Sequence, residues 1–329
     1  VLRVRRLDRA PGSWEALWEA DPGATFFQHP RWMEAITRGY PVYRPFWLLA
    51  EEDGRAAGIL PLVRRRIWGL DQYLSLPFGT HGGPLVSGSD PAPVVAALAG
   101  AFRRLVLGPR VIRFEMTVFD PSGAARAALA GPLGAWFQDF RTHLVDLTVG
   151  FETLWTGRYA KNTRNCVRMA ERAGVTVAEE RGDEAVAILC GFHAAQAEAW
   201  EGIQPHPPEA VARIVEALGA DARIYVARSD AGDPLAAVLD LEHAGREIHC
   251  WMSGSSPAAR PLRAFHLLLS TAIREAAERG FATWDFGGSG GNPKIEFFKA
   301  SFGAGPVPVL RCFRTAGWYR RLRKRPAWD

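Results

Sequence analysis

The 329 residues are 48% hydrophobic and 23% charged, the composition of a soluble protein able to bury the cores of two domains of roughly 150 residues. No apolar run approaches the ~20 residues of a membrane span, Val1 to Arg9 reads as basic and mixed rather than signal-like, and Cys166, Cys190, Cys250 and Cys312 stand alone, which argues against a zinc ribbon or disulfide scaffold and fits a reducing cytoplasm. The net charge of +5 and pI near 9.2 point to an anionic partner: phosphate groups, nucleic acid or an acidic membrane surface.

In chain order, an amphipathic helix is expected from Pro11 to Ala20 and a shorter one from Pro30 to Arg38. Strands Phe46 to Glu51 and Ala56 to Arg64 flank Asp53-Gly54, a hairpin signal. After the glycine-punctuated stretch Leu76 to Val86 come a helix from Pro91 to Leu107, a strand from Val111 to Thr117, a helix from Ser122 to Leu129 and a strand from Thr142 to Leu147. The second half opens with a long helix from Leu154 to Ala173, closed by Gly174, and a strand from Val175 to Glu179. Helices Asp183 to Trp200 and Pro208 to Leu218 follow, then strands Ala222 to Arg228, Leu235 to Glu242 and Glu247 to Met252. A helix from Pro261 to Arg279, strands Thr283 to Phe286 and Val307 to Arg314, and a basic tail complete the chain. Strands and helices alternate twice over, which predicts two α/β (α+β) domains, residues 1–150 and 151–329.

Between the last two strands, Trp284-Asp285-Phe286-Gly287-Gly288-Ser289-Gly290-Gly291 reads as a buried strand and a glycine-rich loop. The helix after it has Asn292 as N-cap, Pro293 in its first turn and Gly303 just past its end. Ile295, Phe298 and Phe302 share one face, with Lys299 at its edge. A lysine there either snorkels over a packed helix or serves a site beside the loop.

The charge concentrates on the helix after Leu154, where Arg158, Lys161, Asn165, Arg168 and Arg172 line one face with Arg164 beside them. Glu171 is the acid within reach, so the stripe reads as a phosphate-binding track. Arg260 and Arg263 flank the expected helix start at Pro261, a second anion candidate. The tail Trp318 to Arg325 mixes aromatics with cations and suits an acidic membrane surface or RNA. Asp285-Phe286-Gly287 is a kinase-like triplet without the rest of a kinase, no Walker, Rossmann or G-x-S-x-G pattern is present, and the histidines show no metal-ligand spacing. His81, in the loop Phe78 to Pro84, is a candidate for an acceptor-binding loop.

These residues together resemble the Fem-like branch of double-GNAT proteins, over nearly the whole chain. The landmarks are Phe26-Phe27-Gln28-His29-Pro30-Arg31-Trp32, Gly82-Gly83-Pro84, Lys161-Asn162-Thr163-Arg164-Asn165, Asp285-Phe286-Gly287-Gly288 and Phe298-Lys299-Ala300-Ser301-Phe302-Gly303. The resemblance implies two GNAT-like domains packed side by side, each a mixed sheet flanked by helices. It also implies a cytoplasmic acyltransferase with no bound cofactor. Its donor would be aminoacyl-tRNA and its acceptor an amine on a peptidoglycan precursor. Phe298 and Lys299 match the family's aromatic-lysine channel pair, and Lys161, Arg164 and Arg168 its basic helix. The chain lacks the helical-hairpin insertion of some bridge-forming members, and Ser87 stands where some carry an acid. Under this reading Lys299 faces the developing negative charge or the terminal tRNA phosphate, and Asp285 accepts a proton, orients the amine or caps its loop. An acyl-CoA N-acyltransferase acting on a small amine, sugar or lipid precursor keeps the fold and changes the donor, although Ser255 to Arg260 lacks the usual pyrophosphate loop. A non-catalytic GNAT-like protein that binds a phosphorylated or nucleic-acid ligand is the third reading.

Overall fold

Hairpin turns and helical crossovers build one strand plan in each of two units. The computed structural model describes residues 1–88, 90–199, 205–243 and 245–322. Contacts divide the chain into a first unit, Val1–Arg141 with the chain from Pro308 onward, and a second, Thr142–Val307. The chain runs through β1 (Leu2–Leu7), α1 (Trp14–Ala20), α2 (Pro30–Gly39), β2 (Arg44–Glu52), β3 (Arg55–Ile67), β4 (Leu70–Ser75), β5 (Leu85–Val86), α3 (Ala92–Val106), β6 (Val111–Phe119), α4 (Ala124–Leu133) and β7 (Phe137–Asp146). It continues through α5 (Phe151–Thr153), α6 (Lys161–Arg172), β8 (Thr176–Glu180), α7 (Asp183–Ala199), α8 (Pro208–Leu218), β9 (Ala222–Arg228), β10 (Pro234–His243) and β11 (Glu247–Ser255). The last elements are α9 (Ala259–Leu262), α10 (Ala264–Glu278), β12 (Thr283–Asp285), α11 (Pro293–Ala300), β13 (Gly305–Thr315) and α12 (Gly317–Leu322).

In the first unit the strands lie in the order β1-β2-β3-β4-β6-β13, antiparallel except for the parallel step β4–β6, which α3 bridges. The expected Asp53-Gly54 turn has φ of 48° and 80°, the left-handed pair of a tight hairpin. Trp68-Gly69, between β3 and β4, has the same φ values with tryptophan in the first position. Phe46, Leu60, Leu62, Leu98, Phe102 and Phe114 form the core.

The second unit repeats the pattern as β7-β12-β11-β10-β9-β8, with its parallel step at β12–β11, bridged by α10. β10 is buried from Leu235 to His243 because α10 packs on one face and α7 on the other. Val238, Ile248, Leu268, Ala272, Trp284 and Phe302 fill the α10 side. In each sheet the strand beside the parallel pair comes from the more distant part of the chain: β13 lies along β6, and β7 along β12.

Two expected helices are broken. The one over Leu154 to Ala173 is a π-helical turn, Leu154–Arg158, then extended backbone at Tyr159 and Ala160 (ψ 133° and 144°), then α6. The break docks on the end of α11: Ala160 N donates to Ser301 O at 2.9 Å, and the buried Tyr159 ring meets Phe302 edge-on at 5.3 Å. The helix expected from Pro261 divides at Arg263, whose φ of 57° separates α9 from α10. Trp200, at the expected end of α7, and residues 323–325 of the basic tail lie outside the described residues.

A Cβ on Gly254 of β11 would stand 2.6 Å from the Phe192 carbonyl carbon in α7 and 2.8 Å from the His193 nitrogen. Gly254→Ala must therefore push α7 off the sheet and is expected to cost about 1–3 kcal/mol, read as a lower denaturation midpoint at unchanged slope. Gly131→Ala in α4, with nothing within 4 Å, is expected to be neutral or mildly stabilising.

Candidate active site

The parallel pairing of β11 with β12 is short. Glu247, Ile248 and His249 lie beside Thr283, Trp284 and Asp285; β11 then runs on to Ser255, while the other strand turns away through Gly287 at φ 71°. Two strands that part in this way open a notch in the second unit, edged by backbone groups that need partners.

Asp285, 2% exposed, ties the notch together. Its Oδ1 accepts from the Gly287 amide at 2.7 Å and from the Thr142 hydroxyl on β7. Its Oδ2 lies 3.1 Å from His249 Nδ1. The carboxylate thus caps the glycine loop and also orients an imidazole, and that pair is what the sequence did not display. Gly287 lies against the far side of the ring, where an added Cβ would sit 3.7 Å from His249 Nε2. His143 on β7 completes the cluster, with Nδ1 3.2 Å from Ser289 Oγ. Burial and, after it, the nearby Lys299 charge hold its pKa below the ordinary histidine value.

α11 carries the expected caps: Asn292 accepts from the Lys294 amide at 3.0 Å, Pro293 opens the helix, and Gly303 follows at φ 82°. Lys299 does not snorkel. It is 7% exposed, and its Nζ donates to Gly287 O at 2.7 Å and Gly288 O at 2.8 Å. Burial pulls its pKa down to about 8, against the opposing pull of Cys250, Asp285 and Glu296. Burial also pushes the Cys250 thiol up, so it stays protonated and is no nucleophile. Phe298 stacks on Phe265 at 5.9 Å and meets His266 and Phe302 at 5.4 and 5.2 Å, so it forms part of the aromatic packing between α10 and α11.

The candidate cations divide by what occupies them. Arg164 donates to the carbonyls of Trp155, Thr156 and Tyr159, closing the π-helical turn. Arg168 lies over the Trp155 ring at 5.5 Å, and Arg158 pairs with Asp146. Lys161, Arg168 and Arg172 are exposed along α6. Arg260 is exposed on α9, and half-buried Arg263 sits at the break before α10.

His81 lies in the first unit, buried and stacked on Phe119 at 5.4 Å. Its loop fills the place beyond the β4–β6 pair that stands open in the second unit. Gly82 bridges to Val118 and donates to Thr117 O at 2.7 Å, and the Gly83 amide donates to Ser75 Oγ. A Cβ on Gly82 would meet Ser75 O at 2.4 Å, which is why glycine stands there.

Residues 157–299 match the family model described as an acetyltransferase (GNAT) domain, a span that runs from α6 to Lys299. In fold the chain is similar to FemX, with a TM-score of 0.71 and 14% identity over 97% of this chain and 99% of that one. A tandem GNAT protein from the clavulanic acid biosynthesis pathway gives 0.62 and 18% over 96% and 99%. L-PGS from Bacillus licheniformis gives 0.56 and 16% over 93% and 92%. No curated protein sequence matches the chain. The fold is an α/β arrangement of mixed sheets flanked by helices, consistent with tandem GNAT-like domains, and residues 157–299 carry the similarity to an acetyltransferase (GNAT) domain.

The chain has four lysines, which makes Lys299 directly observable. In protein labelled at lysine Cε, one carbon resonance, lost in Lys299→Met, is expected to titrate near pH 8. A Lys299 resonance that stays flat up to pH ~10 would mean that the buried ammonium is not destabilised.

Proposed function

We propose that the chain transfers an aminoacyl group from aminoacyl-tRNA to an amine of a peptidoglycan precursor, with the amine entering the notch between β11 and β12. The observation that carries this reading is the Asp285–His249 pair beside the glycine loop braced by Lys299. A carboxylate facing Nδ1 favours the tautomer protonated there, which leaves Nε2 as a proton acceptor. The amine nitrogen attacks the ester carbonyl, and its proton passes to His249 Nε2. The carbon–oxygen bond to the tRNA then breaks, and the leaving hydroxyl oxygen takes that proton from the imidazole. An amide and uncharged tRNA result.

An ester is already activated, so positioning and oxyanion stabilisation supply much of the rate. The Lys299 ammonium has three hydrogens, two of them committed to loop carbonyls. The third, with the positive charge, serves the oxyanion. Lys161, Arg168 and Arg172 offer exposed charge for tRNA or precursor phosphates. The choice of donor and acceptor is supported by the Fem-like landmarks in the sequence and by the fold shared with FemX. Both co-substrates place the reaction in the cytoplasm. No helix among the described residues is long and apolar enough to cross a membrane.

A second reading, acyl-CoA as donor to a small amine, sugar or lipid precursor, is favoured by the start of α10. That 15-residue helix begins at Ala264 with Arg260 and Arg263 just before it, an arrangement suited to a pyrophosphate. The similar tandem GNAT structure is described as a form without AcCoA.

Incubating the protein separately with charged tRNA and with acyl-CoA, each with an amine-bearing precursor, should give an amide by mass spectrometry only with charged tRNA. Product only with acyl-CoA would select the second reading, and firm ligand binding without product in either arm a non-catalytic one. His249→Asn is expected to lower kcat by about 10²–10⁴-fold. Because the folded pKa of Lys299 is lowered to about 8, its charge is present below that pH and lost above it, so kcat should fall as pH rises through 8. Lys299→Arg should abolish that decline, and a folded Lys299→Ala with full activity would remove the residue from the mechanism.

A further inference from the structure

One end of the first unit's sheet gathers exposed apolar side chains and cations. β2, β4 and β6 run out from this end, while β3 and β13 run into it. Val42 precedes β2, Trp68 tips the β3–β4 hairpin, Leu107 precedes β6, and Trp318 follows β13. They are 57%, 93%, 46% and 51% exposed. Backbone bonds fix the placement: Asp71 N donates to Arg110 O and Ala316 N to Ile112 O, each at 2.8 Å. With strands ~4.8 Å apart, the Trp68 turn and the start of α12 emerge about 10 Å from each other across the sheet. Of the other exposed large apolar residues described in this unit, Val1 lies at the opposite end, and Phe78 packs its ring against Tyr40 and Tyr43.

The Trp68 position is costly for the fold. Its φ of 48° opens a two-residue turn that favours Asn, Asp or Gly, and a ring 93% exposed recovers almost no burial in return. The charges make a similar point. Arg44 and Arg64 face each other across β2 and β3, a like-charge pair that weakens the sheet, and Arg110 is exposed nearby. The acids at this end are engaged, Asp71 by Arg66 and Asp8 by Arg6.

We propose that this end of the first unit docks on an anionic phospholipid bilayer, with Trp68 and Trp318 seated at headgroup depth and Arg44, Arg64 and Arg110 over the lipid phosphates. Tryptophan suits the interface because its ring is apolar and its N–H polar, and arginines near the surface add electrostatic attraction. The aliphatic Val42 and Leu107 select a lipid over RNA, since they offer no ring for a base to stack on. A second copy of the chain would bring the same cations together. The surface is separate from the second unit's notch, and binding is read without turnover.

The test is sedimentation of the full chain with vesicles of phosphatidylcholine alone and of phosphatidylcholine mixed with phosphatidylglycerol. Binding is expected only to the anionic vesicles and should weaken as salt is raised. Trp68→Asn suits the turn, so it should melt no lower than the parent while binding about tenfold more weakly. Arg110→Ser should weaken binding about fivefold. Equal binding to both vesicle types, binding to neither, or unchanged binding by Trp68→Asn overturns the proposal. So does a dimer, or an RNA complex, that Trp68→Asn abolishes while vesicle binding stays absent.

Discussion

One carboxylate holds the notch in shape. Asp285 reaches the hydroxyl of β7, the imidazole of β11 and the amide of the loop that follows it, so three segments distant in sequence are fixed by a single buried side chain. From the other side Lys299 grips the carbonyls of the same loop. A glycine loop held by its amide and its carbonyls at once has little freedom left. The cost of burying an acid and an ammonium is met by these hydrogen bonds, and the result is a rigid polar edge.

The two units share their strand order, so the open notch of the second has a counterpart in the first. There the chain around His81, Gly82 and Gly83 occupies the gap, backbone against backbone, and His81 is stacked away on Phe119. Among the described residues the second unit has no such bridge beside its β11–β12 pair. One fold plan therefore supplies one closed and one open version of the same strand junction. The difference is a short glycine loop rather than a different architecture.

Local features were legible in the sequence and non-local ones were not. The caps of α11 and the Asp53-Gly54 hairpin follow from residues within a few positions of each other, and both form as expected. β10 was recovered because its apolar run from Leu235 to Leu239 is uninterrupted. The break at Tyr159 was invisible because residues 154–173 keep helical spacing throughout; it arises from docking on α11, far along the chain. A helical wheel put Lys299 at a rim and could not know that the loop carbonyls would fold over it. The Asp285–His249 pair depends on a parallel register between strands joined by α10, which no spacing rule displays. Both residues fall on the side of their strands opposite the apolar alternation Ile248/Cys250 and Trp284/Phe286, beside Glu247 and Thr283, so the pattern does not single them out. β4 escaped notice because its turn uses tryptophan where a hairpin usually announces itself with asparagine.

The return of β13 to the first unit bears on how the molecule is made. Arg311 of β13 donates to Glu115 of β6 across 196 residues of sequence. As the polypeptide leaves the ribosome, β6 must wait for nearly the whole remaining chain before its neighbour exists. Throughout synthesis its edge is open to adventitious pairing, and closing it is a late, long-range step that slows folding. Cut between the units, the N-terminal product would end without β13, the strand that pairs with β6, whereas the strands of the second unit lie in one contiguous segment.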